Sequence, residues 1–220
     1  MARMLSLPEL IAYGDELCGT YSFSPLSKRG MVQRNKPLVR LDALSCYLEG
    51  ARGCPGAKQA RKALPFIVEG SASPMETVDE MLLCLPYRLG GYGLPVPDMN
   101  LEIPLDERAA AIAGKKSCRG DICWPAINLV IEHQGLYDHD EAGSFEADRA
   151  RVNALKAQGL DVLELTTGTV HDRRAFEEIA LFAAEKLNKR VRKEHRGALP
   201  QRIALRACLF AWNRRYGIPL

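Results

Sequence analysis

Two acidic residues, Asp121 and Glu132, end or interrupt segments with strand character, and Glu132 directly follows an apolar run. A carboxylate is costly to bury unless it holds a cation or another partner. If residues 120–124 and 128–132 pair as a hairpin about Pro125-Ala126, the two carboxylates converge at one end of a sheet. Such oxygen ligands suit Mg²⁺ or Mn²⁺, which can polarise a scissile phosphate and activate a bound water. The alternative is a pair of solvated carboxylates at strand ends.

The elements around this pair predict an α/β fold with a mixed sheet. Residues 128–132 are apolar enough for a strand buried on both faces, residues 145–158 form a helix closed by Gly159, and residues 160–165 form a further strand. One helix between two strands is a βαβ crossover, which makes the two strands parallel. We therefore expect a central mixed β-sheet flanked by helices, with extra helices at both ends of the chain.

The chain organisation predicts an irregular arm before the sheet domain. The first forty residues mix Gly, Pro, Ser and aromatics without sustained periodicity, whereas short helices are expected after residue 40. A stronger helix opens at Ser73-Pro74-Met75-Glu76, where Ser73 suits the N-cap and Glu76 the reciprocal capping position. We expect residues 1–70 to hold the arm and short helices, and residues 71–220 to form one domain with basic C-terminal helices.

Several motifs, taken together and in this order, resemble the PD-(D/E)XK endonuclease-like superfamily, in particular the group related to the very short patch repair endonuclease. That group has a Ser-Pro-x-Glu helix start, an Asp-x-x-Trp-Pro turn, a strand ending in Glu-x-Asp-Gly, and a helix-then-strand pattern. The corresponding segments here are 73–76, 120–125, 129–135 and 148–163. The resemblance covers about residues 41–165. It implies a restriction-endonuclease-like fold and Mg²⁺-dependent cleavage of phosphodiester bonds, with DNA as the expected substrate.

The resemblance also assigns roles. Asp121 and Glu132 become the metal ligands, and Glu76 becomes the acidic residue of the first helix, although capping its own helix is an equally physical role. Gln134 stands where the general signature has Lys and close relatives have Asp. A glutamine can position a water by hydrogen bonding, but it cannot take the proton.

Four further residues are candidates for a supporting role. His133 and His139 flank the carboxylates; His139 is either a general base or phosphate contact or an ordinary loop histidine. Asp148 and Arg151 lie three residues apart on one helix, as a surface ion pair or as a support for the site that contacts phosphate. The spacing of Cys118 and Cys123 with the two histidines fits a zinc finger poorly.

Charge and cysteine usage bear on partners and location. Residues 172–220 carry a local charge of +7, although the whole chain carries only +3. Arg190, Arg192 and Lys193 are therefore candidates for nucleic-acid binding, a solvated helix face being the alternative. No apolar run approaches the ~18 residues of a membrane span. Seven irregularly spaced cysteines and the lack of a signal-peptide pattern favour a cytoplasmic protein with no membrane partner.

Two functions of different class follow. The first is a Mg²⁺-dependent endonuclease. The second is a catalytically inactive nuclease-fold protein that binds DNA and regulates a phage-defence or toxin–antitoxin system, for which Gln134 is the main argument. The oligomeric state is not determined by the sequence.

Overall fold

The chain consists of two compact units. The computed structural model describes residues 2–134, 142–191 and 198–218. The first unit comprises Met1–Val96 and Val191–Leu220, and the second comprises Pro97–Arg190. The boundary expected after residue 70 falls inside the first unit, because the helix that follows it packs with helices from both ends of the chain.

The helices and strands are numbered in chain order. The helices are α1 (Leu7–Cys18), α2 (Leu41–Gly50), α3 (Ala57–Ala63), α4 (Pro74–Cys84), α5 (Glu107–Ala113), α6 (Ala142–Ala157), α7 (Thr167–His171), α8 (Arg173–Lys186) and α9 (Ala198–Arg215). The strands are β1 (Tyr21–Phe23), β2 (Met31–Gln33), β3 (Asp98–Pro104), β4 (Ser117–Trp124), β5 (Leu129–Gln134) and β6 (Asp161–Thr166). Within the described residues, none of the helices is long and apolar enough to cross a bilayer.

The second unit is a four-stranded mixed sheet flanked by helices, which confirms the predicted fold class. The strand order is β3-β4-β5-β6, antiparallel at the first two junctions and parallel between β5 and β6. The predicted hairpin is present: a short 3₁₀ helix at Pro125–Ile127 turns the chain, and Asn128 completes the turn at φ 54°. The predicted crossover from β5 through α6 to β6 is also present. Strand β3 and helix α5 were not expected.

The expectation of an irregular arm over the first forty residues is wrong, because α1 occupies residues 7–18. Ser6 caps this helix with its hydroxyl, and the Glu9 carboxylate accepts the Ser6 N–H at 2.8 Å, which makes a complete capping box. Pro8 lies in the first turn, where its missing N–H costs nothing. A serine N-cap, a proline in the first turn and a glutamate three residues after the serine predicted α4 correctly, and the same pattern is present at Ser6.

The first unit buries a pair of acidic side chains. Asp15 on α1 and Glu80 on α4 are only 1% and 2% exposed. Burial raises the pKa of Glu80 to about 8, despite an opposing hydrogen bond from Cys84. Burial also raises the pKa of Asp15 well above its usual range, and the charge of Glu80 raises it further, while the Val68 N–H donates to Oδ1 at 2.8 Å. At neutral pH the folded protein therefore holds Glu80 largely as the neutral acid.

This burial predicts an unusual pH dependence of stability. A carboxyl with a raised folded-state pKa stabilises the fold below its unfolded pKa, and this contribution is lost as pH rises through the folded value. For Glu80 the loss runs from pH 4.5 to about 8. We expect Glu80→Gln, which mimics the neutral acid, to lose less unfolding free energy than the wild type between pH 5 and pH 8 in urea titrations. Parallel curves for the two proteins would contradict this account.

Candidate metal site on the mixed sheet

The hairpin brings Asp121 and Glu132 together. Strands β4 and β5 pair in the register Trp124↔Leu129 to Ile122↔Ile131, so the next position sets Asp121 opposite Glu132. Directly opposed residues of an antiparallel pair have Cβ atoms roughly 5 Å apart. Glu132 is only 1% exposed, whereas Asp121 is half-buried. The sheet thus holds two carboxylates side by side, one of them out of reach of bulk water.

The backbone around Asp121 is locally irregular. Strands β3 and β4 pair regularly on either side of Asn100 and Asp121, and Asn100 has a left-handed φ of 50°. The Asp121 carboxylate accepts the backbone N–H of His133 at 2.8 Å through Oδ2. A bond from the neighbouring strand therefore fixes the orientation of this carboxylate.

Helix α6 places a cation over Glu132. Val130 and Glu132 share one face of β5, since alternate residues of a strand do. Leu155 of α6 lies in the same apolar cluster as Val130, and Arg151, one turn earlier, forms an ion pair with Glu132 in which Nη2 lies 2.9 Å from Oε2. The same nitrogen lies 3.5 Å from Asp148 Oδ1. Leu155 packs near Val130, and Arg151, four residues before Leu155, reaches Glu132, two residues after Val130. The packing of Leu155 therefore positions Arg151.

The electrostatic setting favours a permanently charged Arg151. Burial lowers the pKa of its guanidinium, but the carboxylates of Glu132, Asp121 and Asp148 outweigh this effect and leave the pKa above its ordinary value. Breaking a buried ion pair is costly because it leaves an uncompensated charge. Arg151 thus lies between Glu132 and Asp148, and the ion pair of Asp148 with Arg151 is one of the two roles considered for these residues.

Gln134 is held by a residue that the sequence did not single out. Its Nε2 donates a hydrogen bond to Glu164 Oε2, and Lys156 Nζ lies 3.7 Å from Glu164 Oε1. The parallel register of β5 and β6 pairs Glu132 with Glu164. This strand register is what identifies Glu164 as a neighbour of the site, because in the sequence Glu164 is one of several polar residues in a short strand.

Glu76 belongs to the other unit and is engaged at its own helix. Its N–H donates to Ser73 Oγ at 3.1 Å, and its Oε2 accepts the Ala72 N–H at 2.8 Å. The first bond is the Ser73 cap that the sequence predicted, and the second joins the Glu76 carboxylate to Ala72, the residue before the cap. A role of Glu76 at the metal stays a prediction.

The cysteines near the carboxylates are core residues. Cys118 and Cys123 pack with Ile103, Val130 and Leu155. Burial raises the pKa of Cys123 to about 12, and the Glu132 and Asp121 charges add to the effect; burial also raises the pKa of Cys118. Since zinc takes cysteine as the thiolate, these thiols are poorly suited to a zinc finger.

The remaining candidates are spread over the chain. Arg190 is exposed, whereas His139, Arg192 and Lys193 lie outside the described residues. Two other members of the basic C-terminal set are buried: Arg202 lies with its guanidinium carbon 4.0 Å from the Tyr92 ring centroid, and Arg206 is equally inaccessible. These two arginines pack within the first unit and do not form a phosphate-binding surface.

The donor set fits a magnesium-like ion better than a zinc-like one. Within the described residues, no group of three or more His, Cys, Asp and Glu side chains is arranged to hold a metal. Mg²⁺, however, is commonly held by one or two carboxylates and completes its octahedron with waters and substrate phosphate. Asp121 and Glu132 supply that smaller set, and the buried Glu132 carboxylate already has a cationic neighbour in Arg151.

Comparison with protein-family models, with curated proteins and with solved structures gave no match to this chain.

Gly120 provides a test of how the site is positioned. A Cβ at this position would lie 2.6 Å from Cys123 Sγ and 2.9 Å from Val130 Cγ1, so even one methyl group requires the core side chains beside Asp121 to shift. We expect Gly120→Ala to destabilise the protein by about 1–3 kcal/mol, the usual cost of overpacking a core, as measured by urea titration. Gly168→Ala is the control, since its nearest neighbour would be 3.6 Å away. Equal stabilities of the two variants would show that β4 tolerates the methyl group.

Proposed function

We propose that the Pro97–Arg190 unit is a Mg²⁺- or Mn²⁺-dependent nuclease that hydrolyses phosphodiester bonds in DNA. The observation that carries the proposal is the register of β4 and β5, whose continuation sets Asp121 opposite Glu132, together with the burial of Glu132 against the cation Arg151. Burying a carboxylate costs free energy unless the charge is paired or binds a metal ion. The ordered motifs that resemble the very short patch repair group support the same reading.

In this proposal Asp121 and Glu132 hold the ion, and the His133 N–H keeps the Asp121 carboxylate in place. A divalent ion held by these two carboxylates would supply Lewis-acid chemistry for the scissile phosphate and for activation of the attacking water. The residues of the chain contribute position and charge, which is most of what phosphoryl transfer needs from a protein.

The hydrogen bond of Gln134 decides which end of its amide faces the reaction. Because Nε2 donates to Glu164, the carbonyl Oε1 is the end left to accept a hydrogen bond from a water. Gln134 thus orients the attacking water without taking its proton. Glu164, anchored by Lys156, fixes the amide in that orientation.

The second candidate is a DNA-binding protein of the same fold that does not cut, acting in phage defence or a toxin–antitoxin system. The observation that favours it is the Arg151–Glu132 ion pair, which satisfies the buried carboxylate without a metal. On this reading DNA affinity falls steeply with salt, while Mg²⁺ and Mn²⁺ give no heat of binding in calorimetry.

The enzyme proposal predicts metal-dependent cleavage that both carboxylates support. We expect the purified chain to cut plasmid or oligonucleotide DNA in Mg²⁺ or Mn²⁺, and Asp121→Asn and Glu132→Gln to lower the rate on the order of a hundredfold or more. Gel assays over a metal titration measure this directly.

The matched control is Glu102→Gln, which removes an exposed carboxylate from β3 of the same sheet and is expected to leave the rate unchanged. Cleavage that persists in the Asp121→Asn, Glu132→Gln double variant would assign the activity to another site or to a contaminant.

A further inference from the structure

Arg151 is paired with the Glu132 carboxylate that the proposed metal ion would also use. Its Nη2 lies 2.9 Å from Glu132 Oε2, well within hydrogen-bond distance, and its side chain is still 23% exposed. A carboxylate oxygen that is already paired with a guanidinium is a weaker ligand for a metal ion. The two cations therefore compete for one oxygen.

Arg151 also has N–H donors that its two ion pairs do not use. The contacts to Glu132 and Asp148 both run through Nη2, and a guanidinium carries five N–H donors in a planar fork. That fork matches the oxygens of a phosphate, and the half-buried position leaves part of the side chain toward solvent. A nucleic-acid backbone lying over the carboxylate pair would present such oxygens.

We propose that Arg151 is an exchangeable counter-ion: it neutralises Glu132 before a divalent ion binds, and moves to a phosphate of the nucleic acid when the ion takes its place. This proposal rests on the proposed function. On this proposal Arg151 lowers the affinity of Glu132 for a metal ion. A bound ion in turn raises the affinity for DNA, because it releases the arginine that contacts the DNA backbone.

Calorimetry with Mn²⁺ alone tests the antagonism without any cleavage. We expect Arg151→Gln to bind Mn²⁺ about tenfold or more tightly than the wild type, since like charges in a partly buried site repel strongly. Arg149→Gln is the matched control, because it removes the same charge from an exposed position of α6 and should leave the affinity unchanged. Adding Glu132→Gln to Arg151→Gln should abolish the gain.

The second half of the exchange is measured as DNA affinity in Ca²⁺, by fluorescence anisotropy. We expect Arg151→Gln to bind DNA about tenfold more weakly than Arg149→Gln, although it binds Mn²⁺ more tightly. A variant that gained metal affinity and kept full DNA affinity would overturn the transfer to phosphate.

The outcomes separate this proposal from the proposed function. Equal Mn²⁺ affinity in the wild type and Arg151→Gln overturns the antagonism and leaves the metal site standing. Absence of Mn²⁺ binding in both overturns the metal site itself. If Arg151→Gln does not fold, the NMR signal of the Arg151 side-chain N–H in the wild type replaces it: a shift on Mg²⁺ saturation supports the exchange, and an unchanged signal overturns it.

Discussion

A carboxylate that is almost fully buried at the end of a strand sets the conditions for the whole sheet unit. Glu132 follows three apolar residues of β5 and shares their environment, so its charge must be compensated from within the protein. Arg151 compensates this charge from α6. The helix must therefore pack against β5 in the position that brings Arg151 next to Glu132. The βαβ crossover is thus fixed by its apolar packing at Leu155 and by one ion pair.

The polar end of the sheet grows out of the same arrangement. Asp121 is brought opposite Glu132 by the hairpin, and the His133 N–H holds its carboxylate, while Glu164 arrives from β6 to bind Gln134. Carboxylates on neighbouring strands repel one another, and ion pairs offset this repulsion: Arg151 with Glu132 and Lys156 with Glu164. This end of the sheet therefore combines carboxylates with basic side chains, and the proposed function rests on that composition.

The first unit solves its electrostatics differently. Asp15 and Glu80 are buried in an apolar interior, where burial raises the pKa of each carboxyl, so Glu80 is kept mostly neutral near pH 7. Two arginines of the basic segment 172–220, Arg202 and Arg206, are buried in this unit as well. Positive charge in a sequence therefore says little about a binding surface until its exposure is known.

Much of the sheet unit was determined by the sequence alone, because its signals are local. An apolar run, a Trp-Pro turn and a helix closed by Gly159 define β4, β5, α6 and β6, and the hairpin they imply places Asp121 near Glu132. The capping signal at Ser6 determined α1 in the same way, although the glycines and prolines after it obscured the pattern. Tertiary structure alone decided that Arg151 meets Glu132 and that Glu164 binds Gln134. These contacts depend on strand register and on the packing of a helix over a sheet, which join residues far apart in sequence and leave no periodic trace in it.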